Sequence, residues 1–352
     1  MAPKTAKATV MVGERFEQRE YPIPEVTEGT LLMKQELGGI CGTDLHNWEH
    51  QRLTGSIILG HENVGIIDKL GAGVTTDHIG QPVEEGDRII LVPGTNQGAY
   101  GFLQSEEEPH LRGGFAEYIF LWNPDTVFLK TTMPPEVAVL TEPFTIGVHG
   151  VMRSGLKFGD TVVIQGSGAI GLLTLVCAKL SGAGRLILVG GPPGRLELGK
   201  RLGADLTIDI AESPDPEERK QIVRDNTPRG EGADVVFECA GFLGAIPEGL
   251  DYLKQSAIYV EMGHFVDVGT FECNPNNMFM RKNLRLEAVW ASQPEHFVRA
   301  LPILEKQEYP SEDLISHVVP LERIAESFNA LHSGYRLDDK DAIKIAVKGG
   351  AS

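Results

Sequence analysis

Apolar and polar positions change rhythm near residue 150. Up to about residue 145 the apolar stretches are short and broken by glycine: ILGHENVGIIDKLGAGV, GDRIILVPG and GGFAEYIFL read as strands entered and left through turns. That pattern predicts a β-rich lobe. Beyond residue 150 the cadence becomes strand, glycine, helix, starting with DTVVIQG at 160–166 and GLLTLVCAKLSGAG at 171–184, whose apolar residues recur at helical spacing before a glycine stop. The unit repeats with RLILVGG and RLELGKRLGAD, and LTIDI, ADVVFECAG, SAIYVEMG and NLRLEAVW complete six strands. Such alternation predicts an α/β domain with a doubly wound parallel sheet and right-handed crossovers. After residue 292 the cadence is lost, and DAIKIAVKGG at the end reads as an edge strand that returns to the first domain. The expected division is 1–148, 149–291 and 292–352, the last part rejoining the first.

Composition narrows the partners. With 352 residues, 41% of them hydrophobic, the chain can fill two ordinary domains. A net charge of −17 argues against nucleic acid and against anionic membranes, which are bound through clustered lysine and arginine. The opening MAPKTAKATVMVGERFEQRE has no apolar run of signal-peptide length, and nowhere do 18 uninterrupted apolar residues occur, so the expectation is a cytoplasmic protein. The four cysteines, Cys41, Cys177, Cys239 and Cys273, lie far apart and read as reduced thiols. ESPDPEERKQ is a charged loop and helix start, read as solvated.

Gly166-Ser167-Gly168-Ala169-Ile170-Gly171 is a G-x-G-x-x-G that follows a predicted strand and opens a helix. In that context the first glycine makes the turn, the second lets backbone approach a pyrophosphate, and the third packs helix on strand. The anion would sit on the free N–H groups of the helix N-terminus. At the end of the next strand the acid that accepts from the ribose 2′-hydroxyl of NAD is missing; Gly190 stands there, followed by Arg195. Glycine leaves room for a 2′-phosphate and Arg195 could pair with it, while an arginine over the adenine or in solvent is the plainer alternative. NAD and NADP both stay open.

GGICGTDLHNWEH, at 38–50, crowds a cysteine, an aspartate and two histidines behind glycines. Candidate partners for Cys41 are His61 and Glu62 in GHENVG and Glu142 in LTEPFTIGVHG, since thiolate, imidazole and carboxylate all ligate zinc and three of them plus a water make a catalytic site. Spacing alone does not raise these four above a buried thiol, a turn histidine and solvated acids.

Taken in order, GGICGTDLHNW, ILGHENVG, GDRI, GGFAEY, TEPFTIGVH and GSGAIG resemble the zinc-dependent medium-chain dehydrogenase/reductase family, on its sorbitol and threonine dehydrogenase branch, over nearly the whole chain. The resemblance implies a GroES-like catalytic domain split around a Rossmann domain. It implies one catalytic zinc on Cys41, His61 and Glu62, with Glu142 an additional or alternating ligand, and Asp44 orienting a ligand histidine. Thr43 and His46 resemble the hydroxyl and imidazole that lead the alcohol proton outward. Thr145, Gly263 and Val289 to Ala291 are expected near the nicotinamide, with Trp48, Phe144 and Trp290 as candidates for the substrate wall. Relatives often carry a structural zinc on four cysteines, and the matching segment here, VPGTNQGAYGFLQSEEEPHLRGG, has none, so no structural zinc is expected. Cys177 and Cys239 read as packing residues, and Cys273 has no ligand-like neighbours.

The implied reaction passes hydride between a secondary alcohol and NAD(P) and yields a ketone. The substrate is an open-chain polyol or, given Trp48, Phe144 and Trp290, a more apolar or cyclic alcohol. A zinc-free quinone or enoyl reductase on the same fold, and a nucleotide-binding homologue without catalysis, are the competing readings. The family also implies a homodimer or homotetramer joined through the cofactor domain.

Overall fold

The computed structural model describes residues 4–350. They pack into two units, one made of the chain up to Glu142 with Gln293–Gln307 and Glu312 onward, the other of Pro143–Ser292 with Glu308–Ser311. The first boundary falls at Glu142, inside the helix Thr141–Ser154.

In the first unit the main sheet runs Phe128–Lys130, Arg88–Leu91, Glu62–Leu70, Leu31–Gly39, Lys344–Lys348, Ile315–Pro320, with Tyr118–Leu121 also paired to Leu31–Gly39. Leu31–Gly39 is the hub of this sheet. Two register shifts along its pairing with Glu62–Leu70 bring Gly39 opposite Glu62, and on the other side Gly39 pairs with Ala346. The sheet therefore sets Glu62 and the last strand on either side of one glycine. A Cβ at Gly39 would overlap the Glu62 carboxylate, so only glycine lets that side chain lie across the strand.

The last strand departs from expectation. Lys344–Lys348 lies inside the sheet, antiparallel to Leu31–Gly39 and parallel to Ile315–Pro320, and is no edge. Its Ile345, Ala346 and Val347 are buried without alternation, the pattern of a strand covered on both faces. The packing beneath is one apolar cluster that joins Val10, Ile57, Phe115, Phe328 and Val347.

The second unit holds six parallel strands in the order Leu206–Asp209, Arg185–Gly190, Thr161–Gln165, Ala233–Glu238, Leu253–Glu261, Arg285–Ala288. All six predicted strands are present. Val162, Val163, Ile164, Val235, Val236 and Phe237 are fully buried, which is why the central strands read as continuous apolar runs. From Thr161–Gln165 the chain first builds to one side and then crosses to Ala233–Glu238 on the other. That reversal opens a crevice at the carboxyl ends of the strands, where doubly wound sheets take their ligands. The α/β class, with its parallel sheet and β-rich partner, is as expected. No helix among the described residues is long and apolar enough to cross a membrane.

Candidate metal centre and cofactor site

The stretch behind Gly38 is a helix, not a loop. Gly42–Glu49 is helical, with Cys41 at its N-cap in extended conformation. The buried Asp44 sits in the first turn and accepts from the Cys41 backbone N–H at 3.0 Å, so its side chain closes the end of the helix and fixes Cys41. Its other oxygen lies 3.3 Å from His61 Nδ1. One carboxylate thus orients both candidate ligands and leaves His61 Nε2 to face a metal, as second-shell carboxylates do in zinc sites. Thr43 Oγ1 is 3.7 Å from Cys41 Sγ.

Donor atoms of Cys41, His61 and Glu62 lie within 4.8 Å of one another. A thiolate, an imidazole and a carboxylate at this spacing suit zinc with a coordination position to spare, so the residues fit the metal that the sequence implies. Glu142 stands outside that trio but close to it: His61, Glu62, Lys344 and Asp44 all act on its ionisation. Burial pushes its pKa up to about 7, with Glu62 and Asp44 adding to the rise against His61 and Lys344.

Sequence reasoning missed Lys344. Only 5% exposed, it donates to the Ile40 carbonyl at 3.0 Å and forms a buried ion pair with Glu62. Glu62 therefore answers to two cations once a metal is bound.

For His61, burial opposes the proton, but Asp44 and then Cys41 outweigh it and raise its pKa well above the usual imidazole value. A group whose pKa is raised keeps its proton at neutral pH and loses it as pH climbs, and a metal must displace that proton. Zinc affinity of the metal-free enzyme then rises with pH through about 7, where Glu142 gives up its proton, and goes on rising above that as His61 loses its own. Competition titration with a chromophoric chelator reads this directly, and an affinity independent of pH contradicts it.

The proposed proton carrier His46 shares the helix of Thr43, three residues on, and so the same face. Burial lowers its pKa, and His50 and Arg52 act in the same direction against Glu49, which keeps it a neutral acceptor at pH 7.

In the second unit the glycine fingerprint links Thr161–Gln165 to the helix Ala169–Leu180. Gly166 has φ +99, and a Cβ there would meet the backbone of Cys239 and Ala240 at 2.8–2.9 Å. A Cβ on Gly171 would overlap the Gly166 carbonyl, whereas one on Gly168 meets nothing within 4 Å. The first and third glycines are thus demanded by packing and the second leaves open space, which is the room a pyrophosphate needs beside the N–H groups of Ala169 and Ile170. The Ser167 hydroxyl is committed to the neighbouring loop, donating to the Gly191 carbonyl at 2.8 Å and accepting from its N–H at 2.9 Å. Gly190 fits because a Cβ would meet that hydroxyl at 2.5 Å. Arg195 is 9% exposed, in the first turn of the helix Pro193–Arg201. Across from Gly190 stands Asp209, an acid at the end of the neighbouring strand that the sequence reading passed over.

Glu238 and Glu261 close two adjacent central strands, and His264 follows them; His264 Nδ1 lies 2.9 Å from Glu261 and 3.3 Å from Glu238. Burial, then Glu261, pushes the Glu238 pKa up to about 8. These three were also passed over, although an acid ending each strand in VFECAG and YVEMGH was the available signal. Gly263 sits against them, since a Cβ there would overlap Glu238 Oε2. Thr145 is fully buried.

Two aromatic assignments need correction. Phe144 is wholly buried, and Trp48 packs against Phe16, Phe328 and His332 with its indole N–H donated to the Glu14 carbonyl at 2.9 Å. Both serve packing because each sits where apolar surface needed covering. Trp290 is 76% exposed. An aromatic ring that does stand against the metal trio is Phe102, with its centroid 5.0 Å from that of His61. The cysteines are free thiols: Cys177 is buried and Cys273 exposed.

Comparison with known proteins gives the same picture. Residues 27–131 match the alcohol dehydrogenase GroES-like domain and residues 169–306 the zinc-binding dehydrogenase domain. The chain is 32% identical to 5-exo-hydroxycamphor dehydrogenase of Pseudomonas putida over 94% of its length and 96% of that protein's. It is 33% identical to sorbitol dehydrogenase of Bacillus subtilis over 72% of the chain and 73% of the relative. An alcohol dehydrogenase of Thermotoga maritima superposes with a TM-score of 0.88 at 28% identity, covering 98% of this chain and 99% of that one. A zinc-binding dehydrogenase of Sinorhizobium meliloti with NADP bound gives 0.82 at 26% identity, covering 98% and 100%. The chain belongs to the zinc-type medium-chain dehydrogenase/reductase family, on its sorbitol dehydrogenase branch, and is an NAD(P)-dependent alcohol dehydrogenase.

Proposed function

We propose that the enzyme converts an apolar, cyclic secondary alcohol to its ketone, using one zinc held by Cys41, His61 and Glu62. The carrying observation is the donor trio itself, with both Cys41 and His61 held by Asp44. Zinc supplies a Lewis acid that makes an alcohol acidic enough to deprotonate at neutral pH. The alcohol carbon gives hydride to NAD(P)+, its oxygen gives up a proton, and the products are ketone, NAD(P)H and H+. In this reading Thr43 accepts the hydroxyl proton and hands it toward His46, whose side chain is 27% exposed and meets solvent. Thr43→Ala should lower kcat by about a hundredfold, at the low end of general acid–base catalysis, with zinc content unchanged. Stopped-flow turnover together with metal analysis checks it; unaltered kcat excludes the relay.

The apolar preference rests on Phe102 beside His61 and on the hydroxycamphor enzyme among the relatives, since hydroxycamphor is an apolar bicyclic alcohol. Both cofactors fit the reading: Arg195, in the first turn of the helix Pro193–Arg201, offers a cation for a 2′-phosphate, and Asp209 offers a carboxylate for a 2′-hydroxyl. Glu142 would serve as an additional or alternating ligand. No structural zinc is expected because residues 92–114 contain no cysteine, so one zinc per chain should survive dialysis. Assembly is proposed as a dimer or tetramer through the cofactor unit, whose outermost strand, Arg285–Ala288, ends the sheet with Leu286 half exposed.

The test is NAD(P)H absorbance across linear and cyclic secondary alcohols, amino alcohols and polyols with each cofactor. Higher kcat/KM for cyclic apolar alcohols is expected, and a preference for polyols overturns the apolar reading.

A further inference from the structure

Helix Gly42–Glu49 and the residue after it carry a second set of metal-binding side chains that uses none of Cys41, His61 or Glu62. His46 and His50 stand four residues apart, the spacing that puts two imidazoles on one helix face, as in the zinc-binding pairs of metalloproteases. Their rings lie nearly parallel, 6° apart in plane with centroids 5.6 Å apart. Glu49 lies beside both: its Oε2 is 3.2 Å from His46 Nδ1 and 4.0 Å from His50 Nε2, and the three donor atoms all fall within 4.8 Å. A fourth donor comes from another helix. His332, the last residue of Ile324–His332, reaches the other Glu49 oxygen at 2.6 Å.

Donor atoms about 2.0–2.1 Å from a tetrahedral zinc are roughly 3.3 Å from one another. The His46–Glu49 distance already matches, the His50–Glu49 distance is under 1 Å longer, and His332 is held at the same carboxylate through its other oxygen. The site is open to solvent, with His50 and His332 side chains 51% and 56% exposed, so an ion can enter without unfolding anything. Three imidazoles and one carboxylate form a borderline-soft set suited to zinc over calcium or magnesium.

The geometry points to an exchangeable, inhibitory zinc site formed by His46, Glu49, His50 and His332. The inhibition rests on the proton path proposed above. A ligated His46 nitrogen has no lone pair left to accept a proton, so occupation of this site closes the route from Thr43 to solvent while the catalytic residues stay in place.

The test uses dialysed enzyme holding one zinc per chain, titrated with zinc chloride while turnover and binding heat are recorded. Binding of a second zinc is expected, with turnover falling as it binds. His50→Gln and His332→Gln should each raise the half-inhibiting zinc concentration by roughly tenfold or more, the scale on which losing a metal-supporting group acts. Both variants should keep the uninhibited kcat. Inhibition equally strong in both variants, or no second binding event, overturns the site. A second zinc that binds through His50 and His332 but leaves turnover intact overturns the inhibitory role and the His46 proton path together. Turnover that falls in His46→Gln without any second zinc binding supports the path and overturns the site alone.

Discussion

Cys41→Ala is expected to lose its zinc and to fall in kcat by about a thousandfold or more while staying folded. The thiolate is one of three donors in the trio, and with it gone the metal keeps an imidazole and a carboxylate already shared with Lys344. Structural consequences should be small, because Cys41 only caps a helix of eight residues and its backbone N–H still donates to Asp44. Lewis-acid stabilisation is worth several kcal/mol in the transition state, and each 1.36 kcal/mol is about tenfold in rate. Metal analysis, turnover and circular dichroism on the same preparation separate these effects. Full activity in a zinc-free Cys41→Ala would show that the trio is not the catalytic centre.

Lys344→Met is expected to destabilise the zinc-free enzyme by about 3–5 kcal/mol, the cost of leaving one partner of a buried ion pair uncompensated. Glu62 is fully buried, so its carboxylate is shielded from bulk solvent when the ammonium group is removed. The same change should cost less with zinc bound, since the metal neutralises the same carboxylate. Adding Glu62→Gln to the metal-free variant should recover part of the loss, because the charge that lacked a partner is gone. Denaturant titration with and without chelator measures both. Equal destabilisation in the two metal states would mean that Lys344 and the metal do not share Glu62.

These two residues mark how far the sequence could be read. Cys41, His61 and the glycine fingerprint announce themselves because their chemistry is carried by residue type within a short stretch, and the central strands of the cofactor unit announce themselves by burial on both faces. Lys344 could not be found that way. It lies 282 residues from Glu62, in a short strand that reads as an edge, and only the pairing of Ala346 with Gly39 shows that this strand is internal. Trp48 and Phe144 mislead for a related reason. An aromatic near a ligand in sequence lies near it in space only if its side chain points that way, and helix geometry turned Trp48 onto Phe16 and Phe328. Phe102, from the segment noted only for lacking cysteine, took the place beside His61. Asp209, Glu238 and Glu261 were hidden by abundance, as the chain holds 49 acidic residues and nothing local distinguishes those that end strands at the ligand-binding edge.

The most direct measurement is NAD(P)H formation from a secondary alcohol before and after the metal is removed by a chelator, then during stepwise return of zinc. Turnover should vanish with the metal and be fully restored at one zinc per chain, declining again only in excess. Turnover that survives complete removal of zinc would contradict the account and place the chain's chemistry with the metal-free reductases of this fold.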